Sequence, residues 1–92
     1  MADVFKALAD PTRRKILDAL SRHDDQTLVE LCSRLATEHG PASTRQAISQ
    51  HLAVLESAGL VQTRREGRYK LHSINPEPLK QLARRWLRRY PM

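Results

Sequence analysis

The hydrophobic period of this chain changes at Gly59, and that change constrains its fold more than any other feature. Before Gly59, apolar residues recur at helical spacing. After it come two short runs, 60–65 and 68–74, rich in Val, Thr, Tyr, Leu and Ile, with Glu66-Gly67 between them as a turn. That pattern predicts a small β-hairpin. Helical spacing returns after Asn75-Pro76.

The helical part divides into four. Val4, Phe5 and Leu8 share one face of a short first helix. Asp10-Pro11 starts a second, with Asp10 as N-cap and Pro11 at the first helical position, where a missing N–H costs nothing. Ile16, Leu17 and Leu20 form its buried stripe, and His23-Asp24-Asp25 interrupts it. Thr27 and Glu30 fit a capping box, followed by Leu28, Leu31, Cys32 and Leu35 on one face of a third helix. His39-Gly40-Pro41 ends that helix. Ser43 and Gln46 repeat the capping-box spacing. Ala47, Ile48, Leu52, Val54, Leu55 and Ala58 then occupy one arc of a fourth helix, which Gly59 closes. In the last helix, Asn75 caps and Pro76 opens. Leu79, Leu82, Ala83, Trp86, Leu87 and Tyr90 take one arc, and Lys80, Arg84, Arg85 and Arg88 the other. The expected order is α-α-α-α-β-β-α: a mainly α fold with a β-hairpin wing, a winged helix-turn-helix.

Ninety-two residues support one domain, residues 1–92. Nothing approaches the ~18 uninterrupted apolar residues of a membrane span. Met1-Ala-Asp-Val-Phe-Lys6 has no basic region leading into an apolar stretch, so no secretory leader is expected. The single cysteine, Cys32, excludes an intramolecular disulfide framework and suits a reducing, cytoplasmic setting. Aromatic residues are 4% of the chain, too few for rows of stacking rings on single strands. The formal charge of +6 is unevenly placed. Residues 1–42 carry six basic and seven acidic side chains; residues 43–92 carry ten basic and three acidic. The positive excess therefore begins at the fourth helix, where a polyanion-facing surface is expected.

The outer arc of that helix is unlike an ordinary solvated face of Lys and Glu. It holds Arg45, Gln46, Ser49, Gln50, Ala53, Glu56 and Ser57, and its first two turns present amides, a hydroxyl and one Arg. Gln pairs with adenine, Arg with guanine and Ser with either, and Ala53 permits close approach. Arg45, Gln46, Ser49 and Gln50 lie in the N-terminal part of the second helix-turn-helix helix, the part that contacts bases. Ser43 and Thr44 can bond phosphate from the helix N-terminus. Arg64, Arg65 and Arg68 flank the Gly turn and can reach backbone or minor groove.

Three stretches resemble the ArsR-type winged-helix repressors. Leu8-Ala-Asp-Pro-Thr-Arg-Arg-Lys-Ile-Leu17 is similar to their opening signature. Ala47-Ile-Ser-Gln-His-Leu-Ala-Val-Leu-Glu-Ser-Ala-Gly-Leu-Val61 is similar to their recognition helix, and Arg64-Arg-Glu-Gly-Arg-Tyr69, with Leu71, to their wing. The resemblance covers about residues 3–90. It implies a homodimer that occupies operator DNA and blocks transcription, with an interface built from the first and last helices. The apolar residues available there are Val4, Phe5, Leu8, Leu79, Leu82, Trp86, Leu87 and Tyr90.

The family's metal ligands are not reproduced. Glu30-Leu31-Cys32 matches one family site, but Arg34 stands at the second cysteine position. A lone thiolate beside a guanidinium does not make a multi-sulfur site. Residues 76–90 contain neither His nor Asp, the ligands of another family site. No metal, no cofactor and no membrane partner is expected, and the sequence names no small-molecule effector. Catalysis is not expected either: there is no phosphate loop, nucleophile elbow or paired carboxylate, and Ser49 and His51 do not face each other. His51 is expected to pack and hydrogen-bond at the core edge. Two alternatives stay open on the residues: a winged-helix docking module without specific DNA binding, and a regulator responding to redox state or a small ligand through Cys32 or an interface pocket.

Overall fold

The computed structural model describes residues 3–40 and 43–90. Its elements are α1 (Val4–Ala9), α2 (Pro11–Arg22), α3 (Leu28–His39), α4 (Arg45–Ser57), β1 (Val61–Glu66), β2 (Tyr69–Ile74) and α5 (Glu77–Leu87). This is the expected order.

The helix starts follow from local chemistry. Asp10 accepts from the amides of Thr12 (2.8 Å) and Arg13 (3.1 Å), satisfying two donors that the helix itself leaves unpaired. The Arg13 amide is the main reason its carboxyl lies below the usual value. Thr27 and Glu30 form both halves of the capping box, at 3.2 and 2.9 Å. The Thr27 amide in turn holds the Glu30 carboxyl below its ordinary range.

Two caps differ from expectation. The N-cap of α4 is Thr44, whose Oγ1 accepts from the Ala47 amide at 3.0 Å. A capping box from Ser43 to Gln46 is therefore not formed, because the helix begins one residue later than that spacing requires. In α5 the helix starts at Glu77, with Pro76 before it already in helical conformation (φ −77°, ψ −9°). Asn75 still caps: its Oδ1 accepts from the Glu77 amide at 3.3 Å, and its Nδ2 donates to the Gly59 carbonyl at 2.9 Å.

Gly59 ends α4 as expected. Its φ of 79° is left-handed, and two bonds close the helix: Gly59 N–H to Glu56 O at 3.0 Å, and Leu60 N–H to Leu55 O at 2.9 Å. This is the Schellman pattern, which turns the chain into β1. Leu60 is spent on that closure, so β1 begins at Val61. The hairpin turns on Gly67 and Arg68, since Glu66 pairs with Tyr69. Only the first loop residue, Gly67, has a positive φ (61°), as in a type II′ turn.

The connection between α3 and α4 is partly helical. Ala36–His39 extend α3, and Gly40 caps it. Pro41 lies outside the described residues.

The core gathers Ile16, Leu17 and Leu20 of α2, Leu31 and Leu35 of α3, Ile48, Leu52 and Leu55 of α4, and Leu60 and Val61 at the root of the hairpin. Gln26 and His72 are also buried. Their backbones exchange two bonds, Gln26 N–H to His72 O (3.0 Å) and His72 N–H to Gln26 O (2.8 Å). A residue of the α2–α3 loop thus adds a one-residue bridge to the hairpin. Among the described residues, no helix is long and apolar enough to cross a membrane.

Candidate nucleic-acid interface

Helix α4 buries one arc and exposes the other. Ile48, Leu52 and Leu55 are buried, while Arg45, Gln46, Ser49, Gln50 and Ala53 are exposed. The four expected base-reading side chains therefore stand together in the first two turns. Ser43 is exposed just ahead of them. Thr44 is exposed too: its Oγ1 accepts the capping bond from Ala47, which leaves its O–H as a donor.

His51 sits half-buried at the edge of this arc, as expected. Its Nδ1 lies 3.3 Å from the Arg13 guanidinium. The same guanidinium donates to the carbonyls of Ala7 (2.8 Å) and Lys6 (3.0 Å). One arginine of α2 thereby ties the end of α1 to the recognition helix.

A groove of about 380 Å3 runs beside α4. Its walls include Val29 of α3, Ser49, Ala53 and Glu56 of α4, and Arg68 and Lys70 of the hairpin. Its lining thus joins residues of the polar arc of α4 to residues of the wing. Lys70 was not among the expected contacts. Its place there follows from the strand register, which pairs it with Arg65; the expected Glu66-Gly67 turn does not give that pairing, because the turn falls on Gly67 and Arg68 instead.

The three wing arginines are not equivalent. Arg65 and Arg68 are exposed, Arg68 within the turn. Arg64 is exposed as well, but its guanidinium is paired within the chain. Its Nε and Nη2 meet the two carboxylate oxygens of Asp25 at 3.3 and 3.1 Å, and its Nη1 donates to Glu66 at 2.9 Å. The Arg64 guanidinium, with the Ser73 hydroxyl second, holds the Asp25 carboxyl below its ordinary value.

Away from this face, α1 and α5 share an aromatic contact. The rings of Phe5 and Trp86 lie 5.8 Å apart at 41°. Phe5, Trp86, Leu87 and Tyr90 are exposed by 50, 53, 38 and 63%, large values for such side chains. Val4, Leu8 and Leu79 are half-buried against the core, and Leu82 is half-buried. Cys32 is likewise half-buried against the core, and Arg34 Nε donates to Gln26 Oε1 at 3.2 Å.

A helix pair, a recognition helix with short polar side chains and a basic hairpin beside it define a winged helix-turn-helix protein. The family profile described as a helix-turn-helix domain matches residues 8–64. The HTH-type transcriptional regulator YuzN of Bacillus subtilis is 52% identical over 84 residues, 91% of each chain. The transcriptional repressor SdpR of the same organism is 40% identical over 75 residues, 82% of this chain and 76% of SdpR. An ArsR-like transcriptional regulator from Rhodococcus sp. RHA1 superposes with a TM-score of 0.80 at 38% identity, covering 92% of this chain and 72% of that one. The chain belongs to the ArsR family of helix-turn-helix transcriptional regulators. It is a regulator, not an enzyme.

Proposed function

We propose that this chain is a homodimeric repressor that reads a specific operator in double-stranded DNA. It acts in the cytoplasm as one winged-helix domain. The observation that carries the reading is the exposed arc of α4, where Arg45, Gln46, Ser49 and Gln50 face outward together. Arg65 and Arg68 meet backbone or minor groove from the wing, and Ser43 adds a phosphate bond at the helix start. Repression is supported by the likeness to SdpR, a repressor by its own name. Dimerisation is supported by the exposed aromatic cluster of α1 and α5: a second copy would cover it and set two recognition helices about one DNA turn apart. Arg34, at the family's second cysteine position, supports a regulator that does not take metal at that site.

The test is selection of bound fragments from a random DNA pool. Recovery of a two-fold symmetric site, with affinity falling steeply as salt rises, is the expected result. Recovery of no preferred sequence would overturn the reading in favour of a docking module.

A further inference from the structure

The alternation of the hairpin gives its two faces different partners. By register, Val61, Thr63 and Arg65 share a face with Ile74, His72 and Lys70. Val61 and His72 are buried, so this face looks onto the core, and its outer end carries Arg65 and Lys70. Gln62, Arg64 and Glu66 share the opposite face with Ser73, Leu71 and Tyr69. Adjacent in sequence, Arg64 and Arg65 therefore point to opposite sides.

The α2–α3 loop occupies the Arg64 side. Asp25 accepts from Arg64 through both oxygens, and from the Ser73 hydroxyl at 2.8 Å. The Asp25 amide points back at Ser73 Oγ, at 3.3 Å. Asp24 Oδ1 accepts the Ile74 amide at 3.1 Å. Gln26 adds its backbone exchange with His72, and its side-chain amide donates to the carbonyls of Ala19 (3.1 Å) and His23 (2.6 Å) at the end of α2. Asp25 adopts a left-handed φ of 60°, unusual outside glycine, and this places its carboxylate against the strand. Three consecutive loop residues thus hold the hairpin, which as two isolated strands would be marginal.

We propose that Asp25 and Arg64 form a tether that sets the angle of the wing to the recognition helix. Arg64 is a positioning residue; Arg65, Arg68 and Lys70 make the wing's contacts with DNA. This rests on the operator-binding reading above. A guanidinium already shared between two carboxylates has little charge to offer a phosphate, whereas the three other cations are free of such pairs among the described residues.

The experiment compares Asp25→Asn, Arg64→Gln and the double variant with the parent, on the selected fragment and across a salt series. Asn accepts left-handed backbone, so Asp25→Asn is expected to fold normally. Each single variant should weaken specific binding on the order of fivefold, and the double variant no more than either alone, because both remove one coupled interaction. The dependence of affinity on salt should keep its slope. The opposite pattern overturns the proposal: a slope reduced by about one in Arg64→Gln, with Asp25→Asn binding as tightly as the parent or more so. Hydrogen exchange on the free protein gives a readout independent of DNA. Both variants should speed exchange across residues 61–74 while the helical amides keep their protection; unchanged exchange in the hairpin would rule out the tether. If the parent itself prefers no fragment, the operator reading fails, and exchange alone decides the tether.

Discussion

Helices α4 and α5 each pair an apolar arc with a polar one, yet the structure treats them differently. The apolar arc of α4 is spent inside the chain: Ile48, Leu52 and Leu55 are buried among α2, α3 and the hairpin root. In α5, the more strongly amphipathic of the two, no residue is fully buried. Leu79 reaches the core, but Trp86, Leu87 and, just past the helix end, Tyr90 remain exposed, with the Trp86 ring beside Phe5. Amphipathicity thus announces a partner without saying where it is. The partner of α4 is its own core, so its free polar arc is the one available for recognition. The free arc of α5 is the apolar one, which fits contact with a second copy.

The largest effects should separate these two apolar arcs. Leu55→Ala leaves a cavity in a fully buried site and should cost about 2–5 kcal/mol of folding stability, read by denaturant melts. The loss should not depend on protein concentration. Trp86→Ala removes a ring that is 53% exposed. Its effect should fall on association instead, at about 2 kcal/mol or more if the ring is an anchor of the dimer. Sedimentation at falling concentration measures it. A Trp86→Ala variant that stays as dimeric as the parent but melts like Leu55→Ala would break the comparison.

Next in size is the polar arc of α4. Gln50→Ala should lose about 1–3 kcal/mol of discrimination and relax one operator position. Because Gln50 is exposed, stability should move by no more than about 0.5 kcal/mol. Unchanged sequence preference in Gln50→Ala would remove that residue from the reading.

Much of this contrast is legible in the sequence. The helical periods, Asp10, the Thr27–Glu30 box and Gly59 all act within a turn or two, so local chemistry suffices to place them. The arc of α4 follows from the same period, since a helix needs no distant information to divide its faces. What was not legible depends on long-range pairing. His23-Asp24-Asp25 reads as a polar interruption, and nothing local says that Asp25 reaches Arg64, 39 residues on. Gln26 and His72 look like loop and wing residues, yet both are buried and their backbones exchange two bonds. Three wing arginines read as one basic cluster because composition ignores strand alternation. Register separates Arg64 from Arg65 and brings Lys70 to the side of Arg65. The shift of the α4 cap from Ser43 to Thr44 is a one-residue ambiguity between two hydroxyl residues, which spacing alone does not resolve.

The smallest effect concerns the basic arc of α5, and it tests whether positive charge or its placement matters. Arg85 and Arg88 are exposed, and Arg85 lies over the Trp86 ring at 5.2 Å. They contribute to the formal +6, but Arg85 sits on α5, whose apolar side is exposed, and Arg88 at that helix's C-cap. On the proposed reading, their field attracts DNA at long range without bonding a phosphate. Arg88→Ala should therefore change specific affinity by no more than about 0.5 kcal/mol and leave the salt slope intact. Arg65→Ala, which removes the same single charge, should reduce that slope by about one. Equal reductions in both variants would mean that α5 grips DNA as the wing does, and that the division between a reading face and an assembling face is drawn in the wrong place.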